Sequence, residues 1–128
     1  SPNSAQREAE GYSASWMHHK GRNRHHYEYW TDILPGTGKY GPVPMPRKYL
    51  AEMVMDRRAA CMTYEGKNYT PASPLAYFSR SKERHFMHPQ TARELEFLLT
   101  MLKEKGEKET FAFIRSTVLT GKPFAEEI

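Results

Sequence analysis

The chain has 128 residues, with 19 Lys and Arg against 15 Asp and Glu, six His and a single Cys. This length suits one domain, which excludes enzymes that need two large lobes or a separate dinucleotide-binding domain. A single Cys also excludes a disulfide framework and a Cys-rich zinc ribbon.

The formal net charge of +4 is spread along the chain rather than gathered in one segment. A diffuse excess of this size is a weak signal for polyanions, so we do not expect a nucleic-acid partner. The sequence has no apolar run of the roughly 18 residues that a membrane span needs, and its start lacks the apolar core of a signal peptide. We therefore expect a cytoplasmic protein that does not contact a membrane.

The first predicted helix begins at Ser13, a residue type typical of N-caps, and runs through Trp16 and His19 with a kink at Gly21. Residues 35–46 are predicted to form a loop, because seven of these twelve positions are Gly or Pro.

Pro46 then suits the first turn of a helix that ends before Gly66. A short helix is predicted around residues 75–78, and His88 is predicted to be a turn residue before the next helix. That helix is the clearest amphipathic segment of the sequence, with Gly106 as its stop and an apolar stripe formed by Leu95, Leu98, Leu99 and Leu102.

A last helix is predicted from the spacing of Phe111, Ile114 and Val118 before Gly121. No segment shows the sustained alternation that is typical of a strand. The predicted fold is therefore all-α, with residues 1–128 forming one compact helical domain.

Four of the six His lie between positions 18 and 26, in two adjacent pairs flanked by tryptophans. On a continuous helix, one face carries Trp16, His19, Asn23, His26 and Trp30, and a neighbouring face carries His18, Arg22, His25 and Tyr29. Because adjacent residues project about 100° apart on a helix, only one His of each pair is expected to face a given site.

Imidazole nitrogen is the commonest protein ligand for zinc, iron and manganese, and such a site needs a carboxylate partner. Asp56 is the leading candidate, because it lies in an apolar stretch of a helix where an unpaired buried charge is costly. Glu28 and Asp32 are secondary candidates. The sequence thus predicts a site for a divalent metal (Fe, Mn, Zn or Ni) with ligands among His18, His19, His25, His26 and Asp56.

Two interpretations without a metal stay open. The histidines and aromatic residues also fit a hydrogen-bonded packing seam between helices, with Asp56 bridging an Arg or capping a neighbouring helix. They also fit a solvated basic patch in which Lys20, Arg22 and Arg24 face water.

These segments resemble a small uncharacterised bacterial family, over essentially the whole chain. The most specific blocks are Trp16-Met17-His18-His19 and Asn23-Arg24-His25-His26-Tyr27-Glu28-Tyr29-Trp30. Further matching segments are Pro44-Met45-Pro46, Glu52-Met53-Val54-Met55-Asp56-Arg57, Tyr69-Thr70, Ser73-Pro74-Leu75 and Tyr77-Phe78.

Longer members of that family carry an upstream His and a His-Asp-Leu-Ser-Lys segment, an order similar to the signature of HD-type metal phosphohydrolases. This likeness implies that His18 or His19, His25 or His26, and Asp56 are the later metal ligands. It also implies an incomplete HD-like helical fold, since this chain starts downstream of the expected His-Asp pair and looks like the C-terminal part of the longer form.

Some members of the family carry an automatic label of catalase, which the residues do not support. A bundle-type manganese catalase needs Glu-x-x-His pairs, and none occurs in the 128 residues. A haem catalase needs far more chain to enclose its cofactor. We therefore expect no haem.

The leading hypothesis is a metal-dependent hydrolase of phosphoesters or nucleotides, with a small phosphorylated molecule as its partner. Asn23 is then expected to orient a ligand or water, and Lys20, Arg22 or Arg24 to hold phosphate. Glu28 is a further catalytic candidate. The alternative is a non-enzymatic interaction module that assembles as a homo-oligomer through its apolar helices.

Overall fold

A computed structural model of the chain describes residues 23–126. Three α-helices dominate this part: α1 (Arg47–Glu65), α2 (Ser73–Arg80) and α3 (Pro89–Phe113). Short 3₁₀ turns and one π turn connect or extend them, at Tyr27–Tyr29, Gly66–Asn68, Glu83–Phe86 and Ile114–Val118. The prediction of a mostly helical fold is confirmed, and the helix predicted from Ser13 begins outside the described residues.

A small antiparallel hairpin precedes the helices, although the sequence predicts no strand. Its strands are β1 (Thr31–Ile33) and β2 (Tyr40–Pro42), so part of the predicted 35–46 loop pairs with the chain before it. Gly36 and Gly38, both at positive φ, reverse the chain between the strands. Strands of three residues are too short to show alternation, which explains why the pattern missed them.

The helices enclose one hydrophobic core. Helix α1 contributes Leu50 and Val54, which are completely buried, and Phe78 of α2 packs into the same cluster. The leucine stripe predicted for α3 faces this core, because Leu95, Leu98, Leu99 and Leu102 are all completely buried. Between residues 23 and 126, no helix combines the length and apolar character needed to cross a membrane.

Helix α3 begins with a side-chain cap that the sequence pattern does not reveal. Nδ1 of His88 accepts a hydrogen bond from the backbone N–H of Gln90, at 3.0 Å, and Pro89 occupies the first turn. His88 is therefore a capping residue as well as the predicted turn residue.

Gly106 interrupts α3, as its predicted role as a stop requires. Its φ of 85° and ψ of 177° lie outside the helical region, in a conformation that is essentially restricted to glycine. Beyond it the chain resumes a helical path to Val118, which is buried, and Thr110 bonds back to the Gly106 carbonyl. The break redirects the C-terminal segment across the molecule.

The Gly106→Ala variant tests this backbone conformation. We expect it to lose about 1–3 kcal/mol of unfolding free energy, because alanine is strained at this φ and ψ. The space around the added Cβ is open, so the loss measures backbone strain alone. Urea unfolding gives the value, with Lys105→Ala as the control; a variant more stable than the parent contradicts the prediction.

Arg47 joins the start of α1 to α3 and to the C-terminal segment. Its guanidinium lies 3.2 Å from the carboxylate of Glu94, which is almost fully buried, and it donates to the carbonyl of Lys122 at 3.0 Å. The guanidinium also stacks over the Phe124 ring, 4.5 Å from its centroid. Burial raises the pKa of Glu94 above its usual value, although Arg47 acts in the opposite direction.

The Arg47→Met variant should therefore lose stability in a pH-dependent way. At pH 7 an unpaired buried carboxylate costs roughly 3–5 kcal/mol of unfolding free energy. Because the folded protein binds the Glu94 proton more tightly than the unfolded chain does, the destabilisation should shrink as the pH falls toward 5.

Urea unfolding of the parent and of Arg47→Met at pH 5 and pH 7 measures this difference. The double variant Arg47→Met/Glu94→Gln should recover part of the loss at pH 7, and Arg115→Met, which replaces an exposed arginine, is the control. The same loss at both pH values would show that Glu94 does not titrate as stated.

Candidate metal site and adjoining cleft

Residues 23–30 form a turn followed by a single 3₁₀ turn, so the continuous helix that was the condition for the two predicted faces does not extend over these residues. The backbone N–H of His26 donates to the Asn23 carbonyl at 3.0 Å, and the backbone N–H of Tyr29 donates to the His26 carbonyl at 3.1 Å. The chain therefore curls tightly before entering the hairpin, and the face predicted for Asn23, His26 and Trp30 does not form.

Trp30 holds this segment against α1. Its indole N–H donates to the Arg24 carbonyl at 2.7 Å, and its ring packs on Tyr49 of α1 with 5.4 Å between centroids. Tyr27 also packs against the core from the same segment. These contacts compete successfully with helical hydrogen bonds because they bury aromatic surface and satisfy a backbone carbonyl.

The curled segment brings both histidines to one carboxylate on α1. Nε2 of His25 lies 4.0 Å from Oδ1 of Asp56, and Nε2 of His26 lies 3.9 Å from Oδ2. The two imidazole rings meet edge to face, with 4.7 Å between centroids and 80° between planes. The prediction that only one His of this pair faces the site is therefore wrong, because it assumed a helix.

Asp56 is half exposed rather than buried, with 55% of its side chain accessible, so the reason given for choosing it is wrong. The adjacent arginines do not neutralise it. Arg57 pairs with Glu83 through two contacts of 2.6 and 3.3 Å, and Arg58 pairs with Glu107. Asp56 therefore presents both carboxylate oxygens to the histidines, and it forms no bridge to an arginine between residues 23 and 126.

The donor atoms of His25, His26 and Asp56 all lie within 4.8 Å of one another. Two donors at about 2.0–2.2 Å from one tetrahedral zinc ion are separated by roughly 3.3–3.6 Å. The nitrogen-to-oxygen separations of 4.0 and 3.9 Å are a few tenths of an ångström longer, a difference that small side-chain rotations remove, and they are too long for direct hydrogen bonds. Two imidazoles and a carboxylate thus fit a divalent transition metal.

The other predicted site residues lie either outside the described part of the chain or outside the cluster of His25, His26 and Asp56. His18, His19, Lys20 and Arg22 lie outside the described residues. Asn23 contributes its carbonyl to the turn, and Arg24 is exposed beside the Tyr29 ring. Asp32 is exposed on β1, where its carboxylate accepts from the N–H of Ile33 at 2.7 Å. Glu28 lies next to the histidines and lines the same cleft.

That cleft has a volume of about 640 Å³ and runs from the His–Asp cluster between α1 and α2. Helix α1 lines it with one face: Met53, Asp56, Arg57, Ala60, Cys61, Tyr64 and Glu65. Helix α2 and the turn after it add Ser73, Pro74, Tyr77, Arg80, Ser81 and Glu83. Helical spacing from Asp56 predicts the face shared by Ala60 and Tyr64, whereas the α2 residues join it only through tertiary packing.

Two groups in the cleft have shifted acidity. Burial raises the pKa of Tyr27 well above its usual value, and the carboxylates of Glu28 and Glu83 act in the same direction. Burial also raises the pKa of the Cys61 thiol, with a further contribution from Glu65. Tyr27 therefore remains a neutral phenol, and Cys61 remains a thiol, near neutral pH.

The fold and the site together define a small, mostly helical protein with a His–Asp cluster at one end of a cleft. The model of the family of unknown function DUF5662 matches residues 1–101, so the chain belongs to that family. The comparison with curated proteins and the comparison with solved structures found no significant match.

Proposed function

We propose that this protein binds a divalent transition metal and uses it to hydrolyse phosphoesters. The observation that carries the proposal is the convergence of two imidazoles on one carboxylate, within 4.8 Å, at the end of a cleft. An HD-like relationship, in which these residues are the later ligands of the metal, is part of the same proposal. Such a fold relationship supports a reaction only by analogy.

The charges of the cleft favour a cation. Four carboxylates line it, from Glu28, Asp56, Glu65 and Glu83, against the two guanidinium groups of Arg57 and Arg80. The Arg57–Glu83 pair neutralises itself, which leaves an excess of negative charge around the histidines. A divalent cation compensates this excess and supplies the charge that attracts phosphate.

Three protein ligands leave coordination positions for water and substrate, which is typical of catalytic rather than structural metal sites. His18 or His19 is proposed as a further ligand, on the resemblance to HD-type enzymes. His19 lies six positions before His25, and an extended chain of that length reaches at most roughly 20 Å.

A metal held by His25, His26 and Asp56 would lower the pKa of a bound water and stabilise negative charge on phosphate. In the proposed reaction water forms a bond to phosphorus and the ester P–O bond breaks. Glu28 is proposed to accept the proton that the attacking water loses and to return it to the departing alkoxide. Tyr27, kept neutral by burial and by its acidic neighbours, is a hydrogen-bond partner of the Glu28 side chain.

Metal titration tests the ligand set. Isothermal titration with Mn²⁺, Zn²⁺, Fe²⁺ and Ni²⁺ should give one bound ion per chain for at least one of these metals. His25→Ala, His26→Ala and Asp56→Ala should each weaken binding by more than about 100-fold, because loss of an outer-shell partner alone costs 10–100-fold.

The matched controls are His85→Ala and Asp32→Asn, which replace exposed residues of the same types outside the cluster. They should leave the affinity unchanged. No bound metal in the parent, or equal affinity in the cluster variants and the controls, would overturn the metal site.

Phosphate release tests the reaction. The metal-loaded protein should hydrolyse para-nitrophenyl phosphate, and Glu28→Gln should lower kcat by roughly 10²–10⁴-fold while metal still binds, because the proton acceptor is lost. Glu104→Gln, on the exposed face of α3, is the control. A metal-loaded protein that releases no phosphate would contradict the hydrolase function and leave metal binding intact.

A further inference from the structure

We propose that the cleft between α1 and α2 binds a nucleoside monophosphate. Its base lies against the rings of Tyr64 and Tyr77, and its phosphate lies between the His–Asp cluster and Arg80. The inference rests on the proposed metal site, because that site holds one side of the phosphate.

The direction of the two helices orders the groups along the cleft. The short segment 66–72 connects the end of α1 to the start of α2, and Arg57 pairs with Glu83 just beyond the end of α2. The helices therefore run in opposite directions. Tyr64 lies at the end of the cleft nearest that connection, and Asp56 lies roughly 12 Å away along the α1 axis, at 1.5 Å per residue.

The two tyrosines offer aromatic surface that the fold itself does not use. Tyr64 is 91% exposed and Tyr77 is 52% exposed, although both line the cleft, from different helices. Two large aromatic side chains that are exposed to solvent within one concave surface indicate a surface for binding a ligand. Stacking on such rings suits a flat base and contributes about 1–3 kcal/mol per base.

Arg80 is the guanidinium available to an anion. Arg57 is occupied by Glu83, whereas Arg80 forms no salt bridge with any residue between 23 and 126. Its guanidinium lies over the Tyr77 ring, 5.4 Å from the centroid, which keeps it at the cleft wall. Arg80 lines the cleft together with Asp56, Cys61 and Tyr64 of α1.

These features select a ligand with an anionic end and a flat end. The phosphate meets the metal cluster and the fork of Arg80, which matches phosphate geometry. A volume of about 640 Å³ is within the usual range for small-molecule sites. A nucleoside monophosphate has both an anionic and a flat aromatic end, whereas inorganic phosphate leaves the tyrosines unoccupied.

The probe is the phosphonate analogue of adenosine monophosphate, in which CH₂ replaces the bridging ester oxygen so that no hydrolysis occurs. Isothermal titration into the Mn²⁺-loaded protein should show binding. Adenosine and ribose 5-phosphate should each bind at least about 5-fold more weakly, because one lacks the phosphate and the other lacks the stacked base.

Tyr64→Ala and Tyr77→Ala should each weaken binding of the analogue by roughly 5- to 100-fold. Arg80→Gln should weaken the analogue and ribose 5-phosphate alike, but leave adenosine unchanged. Tyr40→Ala and Arg115→Gln are the matched controls, since both replace exposed residues outside the cleft. Tyr64 is nearly fully exposed, so its removal leaves the core intact.

Alkylation of Cys61 by iodoacetamide gives a second measurement, unambiguous because the chain has one cysteine. The analogue should slow the reaction in the parent and fail to do so in Tyr64→Ala at the same concentration. If the protein binds Mn²⁺ normally but the analogue neither binds nor protects Cys61, this inference is wrong and the metal site stands. Loss of Mn²⁺ binding itself instead points to failure of the proposed function.

Discussion

The packing of Trp30 on α1 is the contact on which the site depends. Its ring lies against Tyr49, and its N–H binds the carbonyl of Arg24, so the segment between them has to curl. Without that curl the two adjacent histidines would diverge by about 100° on a helix. With it, both reach Asp56, and a pair that a regular helix would separate becomes one set of donors.

Three consecutive charged residues of helix α1 contact three different parts of the molecule. Asp56 faces the histidines, Arg57 pairs with Glu83, and Arg58 pairs with Glu107. The angular step between successive helical residues makes this divergence unavoidable. It also keeps the carboxylate clear of the cations next to it in sequence, so that neither Arg57 nor Arg58 occupies its oxygens.

The sequence predicts the helices well because their apolar residues recur at helical spacing over three or more turns. The buried leucines of α3 and the glycine that interrupts it are examples. Residue type alone also points to His25, His26 and Asp56 as donors. The sequence does not predict their geometry, because the packing of Trp30 overrides helix propensity between residues 23 and 30. The cleft residues Tyr77 and Arg80 carry no local signal, because they acquire a role only when α2 packs against α1.

The break at Gly106 gives the His–Asp cluster a second neighbour besides the cleft. The chain leaves the helical path at Gly106 and then forms the turn Ile114–Val118. Beyond the break, Ile114 and Leu119 border a shallow groove that His25 and Asp56 also line. The side chains of this last segment can thus change the surroundings of the donor atoms without replacing any of them, so the two functions of holding an ion and shaping its surroundings belong to different stretches of chain.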